Sequence, residues 1–365
     1  MTRYPARIAV DRSRTRAVSA VLALAAMLAG PGAAVAQSRT VADTSAEACA
    51  ADYQRFCRGV RPGGGAIRAC LEAHASELSA SCRAAAAPPG GLAAASDLDE
   101  GGEPGGRIAV PAGARVLRDI AYGPDPAQRM DVYLPVRPQA APVLFMVHGG
   151  GWAIGDKAMA GVVSNKIAKW LPEGFIFISV NYRLLPNADP LNQADDVAKA
   201  LAAAQAKATS WGGDPARFVL MGHSAGAHLV ALLASDPTIA TRQGATPWLG
   251  TVALDSAALN VVEIMKARHY PLYDRAFGAD PAVWHSASPL HRLTATPRPM
   301  LLVCSSERTN ACPQAQAYAI KAVGLGGRVT VLPVALSHGA INKSLGLPGS
   351  YTANVNAFIR QLVVR

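Results

Sequence analysis

Ser224 stands in Gly222-His223-Ser224-Ala225-Gly226, directly after the apolar run Phe218–Met221 and directly before the alanine-rich stretch Ala225–Ala234. A strand that turns into a helix at GxSxG is so tight that only small residues fit around the serine, whose Oγ is left exposed above the sheet edge as a nucleophile. In a chain with 33 glycines the pattern alone is weak, so its partners decide. A serine hydroxyl needs a base. His338, in Ser337-His338-Gly339, follows the last predicted strand, where an imidazole can swing over the sheet edge. The other histidines have plainer settings: His74 lies in a cysteine-rich segment, His148 in a glycine loop, His223 and His228 beside the serine, and His269, His285 and His291 within or directly after residues 259–290.

The pair still needs a carboxylate to orient the imidazole and stabilise its charged form. Beyond Asp280 one acidic side chain remains, Glu307, in the loop after the predicted strand Met300–Cys304. Asp255, directly after the predicted strand Thr251–Leu254, is the alternative. Glu307 could also be no more than a solvated charge beside Arg308. Cys304 and Cys312 bracket that loop, and a bond between them would pin it at both ends; the plainer reading is two buried free thiols.

His148-Gly149-Gly150-Gly151-Trp152 follows the predicted strand Val143–Val147. Three glycines let backbone N–H groups turn inward and, with the N–H of Ala225, hold a developing oxyanion. Neither GxxxxGK[ST] nor GxGxxG is present, which argues against a phosphate loop.

These residues must be held by a scaffold, and from about Arg107 onward the pattern supplies one. Short β-branched runs recur at Met130–Leu134, Val143–Val147, Phe175–Val180, Phe218–Met221, Thr251–Leu254, Met300–Cys304 and Val329–Val334. Helical stretches lie between most of them, notably Gln193–Thr209, Ala225–Ala234, Gln314–Val323 and Thr352–Val363. Strands alternating with helices predict a mostly parallel sheet covered on both faces. The first two runs lack an intervening helix, which predicts an antiparallel start. Leu259–Leu290 interrupts the alternation and reads as an excursion over the carboxyl edge of the sheet, where sites of α/β folds lie.

The N-terminal third differs. Arg3, Arg7, Arg12, Arg14 and Arg16 precede the apolar run Ala17–Leu28 and then Ala34-Val35-Ala36. That is the layout of an export leader over residues 1–36; the apolar run is shorter than the roughly 18 residues a membrane anchor needs. No other stretch is apolar enough to span a bilayer. The leader's five arginines against Asp11 take four of the net charge of +10. The remaining basic residues are scattered, which argues against a nucleic-acid partner. Cys49, Cys57, Cys70 and Cys82 fall within residues 44–84, which read as two helices, Ala46–Cys57 and Ile67–Arg83, turning at Gly63-Gly64-Gly65. Such a hairpin pairs Cys57 with Cys70 and Cys49 with Cys82, in keeping with an oxidising compartment, periplasmic or secreted. No C-x-x-C pair suggests a metal. Residues 85–106, rich in Ala, Pro and Gly, read as a flexible linker before a domain at 107–365.

Two resemblances follow from these motifs. Phe56-Cys57, Cys70-Leu71 and Leu78–Cys82 resemble the cysteine-rich repeat named after a Golgi apparatus protein, which implies a small disulfide-linked helical module, a spacer or a contact for a surface or polymer. Residues 107–365 resemble the esterase/lipase branch of the α/β-hydrolase superfamily. The likeness rests on Tyr122-Gly123 with Gln128, Asp131–Pro135, HGGGW at 148–152, Asn181–Leu184, Gly213-Asp214-Pro215 and GHSAGAHL at 222–229. His223 with Ala227-His228 looks closer to the arylformamidase-like and feruloyl/acetyl-esterase-like group than to the hormone-sensitive-lipase-like esterases, which usually carry Asp before the serine. The resemblance implies an eight-stranded sheet, Gly150, Gly151 and Ala225 as oxyanion donors, and an acid at the end of the penultimate strand, which favours Glu307 over Asp255. Together with the leader pattern, it implies an exported serine hydrolase of small carboxylic esters, with short acyl groups and neither cofactor nor metal. The rivals are an arylformamidase-type amide hydrolase and an inactive binding protein on the same scaffold.

Overall fold

The sheet begins antiparallel and then runs parallel to its far edge. A computed structural model of the chain describes residues 108–256 and 258–364, together with residues 49, 51–58, 60, 70, 71, 73, 74, 76–79 and 81–83. The expected leader and linker lie outside the described residues. The strands are β1 (Arg115–Ala121), β2 (Arg129–Leu134), β3 (Ala141–Val147), β4 (Ile176–Val180), β5 (Gly213–His223), β6 (Gly250–Leu254), β7 (Met300–Ser305) and β8 (Val329–Val334). Their order across the sheet is β1-β2-β4-β3-β5-β6-β7-β8. β2 pairs antiparallel with both β1 and β4, and every later pairing is parallel.

Between and after the strands lie α1 (Ala160–Trp170), α2 (Pro190–Lys207), α3 (Ala225–Ser235) and α4 (Thr238–Arg242). Four short helices follow β6: α5 (Val261–Lys266), α6 (Pro271–Phe277), α7 (Pro281–Ser286) and α8 (Pro289–Arg292). The last three are α9 (Ala311–Gly324), α10 (His338–Ser344) and α11 (Ser350–Val363).

The two-residue period of a strand divides the core into two layers. Val143, Phe145 and Val147 of β3 face one layer with Val197 and Leu201 of α2, Leu229 of α3 and Tyr318 of α9. Leu144 and Met146 face the other, with Val163, Ile167 and Trp170 of α1 and Val355, Ile359 and Leu362 of α11. Every residue of α3 is buried, as a helix must be when it starts at the sheet's central edge and runs beneath neighbouring helices. α2 begins three residues before the sequence pattern places it, because Asp189 caps it by accepting from the N–H groups of Leu191 and Asn192 and Pro190 occupies its first turn.

β1 escapes the sequence pattern. It is an edge strand with no fully buried residue, and Asp119 breaks its register at a left-handed φ of 55°. Edge strands with solvated faces carry little apolar alternation to read.

In the cysteine-rich segment the bonds Cys49–Cys82 and Cys57–Cys70 are formed, the nested pairing. Residues 51–56 are helical, but the expected helix Ile67–Arg83 is not continuous: positions 74 and 76–78 form turns and a bend. Ser79 restarts the helix, its Oγ accepting from Cys82 N–H, while its own N–H and hydroxyl both donate to buried Asp52. Among the described residues no helix is long and apolar enough to cross a membrane.

Candidate active site

β5 ends at His223 and α3 starts at Ala225, so Ser224 is the entire connection. It sits at φ 55°, ψ −119°, a backbone conformation that non-glycine residues rarely adopt. Its neighbours must be small. A Cβ on Gly222 would lie 2.3 Å from the carbonyl oxygen of Gly226, and one on Gly226 would lie 2.2 Å from that of Val147. Ser224 N–H donates to Leu254 O at 2.9 Å, which ties the turn to β6.

His338 is the first residue of α10, whose start is capped by Ser337 accepting from Ala340 N–H. Its Nε2 lies 2.9 Å from Ser224 Oγ. Its Nδ1 lies 2.6 Å from Oδ2 of Asp255, which follows β6 at a left-handed φ of 54°. The carboxylate behind the imidazole is therefore Asp255, not Glu307. β6 is the immediate neighbour of β5 in the sheet, so a residue turning upward from its end reaches the imidazole above the elbow. The loop after β7 turns outward instead: Glu307 is exposed, and its N–H donates to Ser305 Oγ.

That loop delivers Arg308 instead. Its Nη1 donates to Asp255 Oδ2 at 2.8 Å and lies 3.0 Å from His338 Nδ1. The remaining carboxylate oxygen, Oδ1, accepts from Ser305 N–H at 2.7 Å. Burial raises the Asp255 carboxyl, but the His338 hydrogen bond, the Arg308 charge and the Ser305 amide outweigh it and hold the group well below the usual carboxylate range. Cys304 and Cys312 are disulfide-bonded, closing the loop that carries Arg308.

The glycine loop stands beside the elbow. Gly150 and Gly151 have φ of 111° and 56°, and a Cβ on Gly150 would come within 2.0 Å of Ile154 O. Side chains of the two motifs interlock behind it. Trp152 Nε1–H donates to His228 Nδ1 at 3.2 Å, which leaves Nε2–H to donate to Ala287 O at 2.7 Å. Burial lowers His228 to about 4, against the pull of the Ala287 carbonyl, so the ring is neutral at ordinary pH. This relay joins the glycine loop, the elbow helix and the excursion between β6 and β7. His223 donates from Nε2 to His338 O at 3.0 Å and lays its ring against that of His338, with centroids 4.5 Å apart. His148 stacks on Tyr182, whose hydroxyl donates to His148 O. The roles of His223, His228 and Arg308 were invisible in the chain; the signal for the histidines was their place within the motifs, and for Arg308 there was none beyond its adjacency to Glu307.

A pocket opens onto these groups. Gly151, Ala225, Ser224, His338, Asp255 and Arg308 line it, together with Trp152, Ala258, Tyr270, Leu272 and Tyr273. From the excursion, α6 and the residue before it thus contribute to its lining. Gly150 is not among the residues lining it.

A nucleophile elbow at the carboxyl edge of this sheet defines the α/β-hydrolase fold. Residues 130–322 match the BD-FAE family model, more than half of the chain, and the chain belongs to that family. It is 35% identical over 118 residues to a probable isoprenylcysteine alpha-carbonyl methylesterase of Oryza sativa subsp. japonica, covering 32% of this chain and 28% of that protein. It is 30% identical over 206 residues to esterase LipC of Mycobacterium tuberculosis, covering 52% of this chain and 50% of that protein. The chain thus spans between about a quarter and a half of these curated relatives. Among solved structures it is similar to esterase B from Lactobacillus rhamnosis, with TM-score 0.56, 21% identity, and 70% and 89% of the two chains covered. A bacterial heroin esterase aligns with TM-score 0.53 at 22% identity, covering 69% and 84%. At these identities the structural likeness establishes the fold.

Proposed function

We propose that this protein is an exported serine hydrolase of small carboxylic esters working through a Ser224–His338–Asp255 triad. The observation that carries the reading is the unbroken run of contacts from Ser224 Oγ through His338 to Asp255 Oδ2, 2.9 and 2.6 Å long, in the lining of a pocket. Family membership and the esterase names of the relatives support it.

His338 Nε2 takes the hydroxyl proton as Ser224 Oγ attacks the acyl carbonyl, and Nδ1–H donates to Asp255, which stabilises the imidazolium. The carbonyl oxygen becomes an oxyanion facing the amides of Gly150, Gly151 and Ala225; of these, Gly151 and Ala225 line the pocket beside Ser224. The imidazolium then protonates the leaving alcohol, and water, activated by the same imidazole, releases the acid from the acyl-serine. Every proton leaves and returns through His338, so the cycle closes without a cofactor.

The lining residues Trp152, Tyr270, Leu272 and Tyr273 suit a short acyl group or an aromatic ring better than a long chain. Export rests on the leader pattern of residues 1–36 and on three disulfides. The Golgi-type likeness of residues 44–84 fits a contact with a surface or polymer. A panel of p-nitrophenyl esters of increasing acyl length, aryl esters and N-formyl anilides tests the chemistry. Turnover of the short esters, lost in Ser224→Ala, is expected. Preference for the anilides, or turnover that survives Ser224→Ala, contradicts it.

A further inference from the structure

We propose that Arg308 is a positioning residue of the triad, one that locks the Asp255 carboxylate and, as a fixed cation at the back of the imidazole, keeps His338 a free base to lower pH. The inference rests on the triad reading above and adds a fourth member to it.

Three atoms carry the argument. Arg308 Nη1, Asp255 Oδ2 and His338 Nδ1 are mutually 2.8, 2.6 and 3.0 Å apart, a nearly closed triangle. A guanidinium only donates. If Arg308 donated to Nδ1, the ring proton would sit on Nε2, facing Ser224, and the base would be blocked. With Asp255 ionised, both the Arg308 N–H and the His338 Nδ1–H point at Oδ2, and Nε2 keeps the lone pair that accepts the Ser224 proton. Arg308 Nη1 also reaches Asp255 O at 3.3 Å, so the aspartate is held through side chain and backbone together. Ser305 N–H fills Oδ1.

The guanidinium has a second consequence. Protonating His338 places a positive charge 3.0 Å from another positive charge, with the aspartate as their shared counter-ion. Among the described residues no other guanidinium or ammonium lies within ion-pair distance of the Asp255–His338 pair. His223 of β5 lies against the ring and donates to the His338 carbonyl, Ser224 faces Nε2, and Tyr351 of α11 donates from its hydroxyl to Ile341 O within α10. Lys166 of α1 binds Asn342 O and Oδ1 farther along α10. Arg308 is thus the cation nearest the reacting imidazole among the described residues, at the tip of a loop closed by the Cys304–Cys312 bond.

The test compares wild type, Arg308→Gln, Arg308→Met and Arg308→Lys as full-length oxidised protein. kcat/KM for p-nitrophenyl acetate is followed against pH, and folding is checked by near-UV circular dichroism. Removing the charge should move the acid limb of kcat/KM upward by about 0.5 to 1 pH unit in both neutral variants, with KM changed less than twofold, while Arg308→Lys keeps the limb near its wild-type position. A role confined to packing would lower activity equally at every pH and leave the limb where it was; an unmoved or lowered limb in a folded neutral variant overturns the proposal. Wild type is labelled in parallel with a fluorophosphonate. If wild type itself is not labelled at Ser224, the triad reading fails; if it is labelled and the limb does not move, the Arg308 inference alone fails.

Discussion

Asp255 and Glu307 differ in a single respect that matters, which is where each backbone points its carboxylate. Asp255 leaves β6 at a positive φ and sets Oδ2 2.6 Å from His338 Nδ1, whereas Glu307 faces solvent. Asp255→Asn removes the acceptor that fixes the ring tautomer and should lower kcat about 10⁴-fold, while Glu307→Gln should stay within twofold of wild type; steady-state kinetics on p-nitrophenyl acetate decides between them. Buried His228 makes a separate prediction. Its folded value, about 4, lies below its unfolded one, so the unfolded chain binds the extra proton first and folding stability is lost as pH falls from about 6.5 toward 4. Between pH 6.5 and 5 the loss is about 2 kcal/mol. Urea unfolding at the two pH values measures it, and His228→Asn, uncharged at both, should remove most of the difference. Serine, base and glycine loop were legible because each is announced by its immediate neighbours: small residues around Ser224, three consecutive glycines after β3, and a histidine in the loop after the last strand. The acid was not legible. Two carboxylates followed two adjacent strands, and which of them turned inward depended on a left-handed residue and an arginine fifty-three positions apart, a tertiary fact with no local pattern.

At the scale of elements, the site is a meeting of loops that are tied to one another rather than to the sheet alone. Trp152, His228 and Ala287 form one tie, and the Cys304–Cys312 bond closes the loop that brings Arg308 to Asp255. Cys304→Ser with Cys312→Ser should cost about 2 to 3 kcal/mol of stability for so short a loop. It should also shift the acid limb of kcat/KM in the direction of Arg308→Gln. Denaturant melts and the pH profile of the same sample check both. Gly226→Ala is a sharper structural test, since the new methyl would meet Val147 O at 2.2 Å; the elbow cannot widen without parting β3 from α3, and soluble active protein should not be recovered. The parallel strands and their covering helices were readable because buried strands are continuous β-branched runs and the helices between them are alanine-rich. β1 was missed for the opposite reason, its residues being half solvated. The excursion was readable as an interruption, but its division into four helices was set by Pro271, Pro281 and Pro289 in first turns and by the side-chain caps of Asn260 and Asp280.

For the whole molecule, the family and the pocket support the proposed ester hydrolysis, and the three disulfides are consistent with the proposed export. If residues 1–36 are a leader, N-terminal sequencing of protein recovered from the producing cell's exported fraction should begin just after Ala36; a retained Met1 contradicts export with cleavage. Beneath the kinetic predictions lies the claim that Ser224 is a nucleophile raised by His338 and Asp255. Peptide mapping after fluorophosphonate treatment tests it most directly. The expected result is a single adduct on Ser224 in wild type, none in Ser224→Ala, and labelling slowed by orders of magnitude in His338→Ala and Asp255→Asn. An unlabelled Ser224 in folded wild-type protein, or labelling as fast in Asp255→Asn as in wild type, would contradict the account.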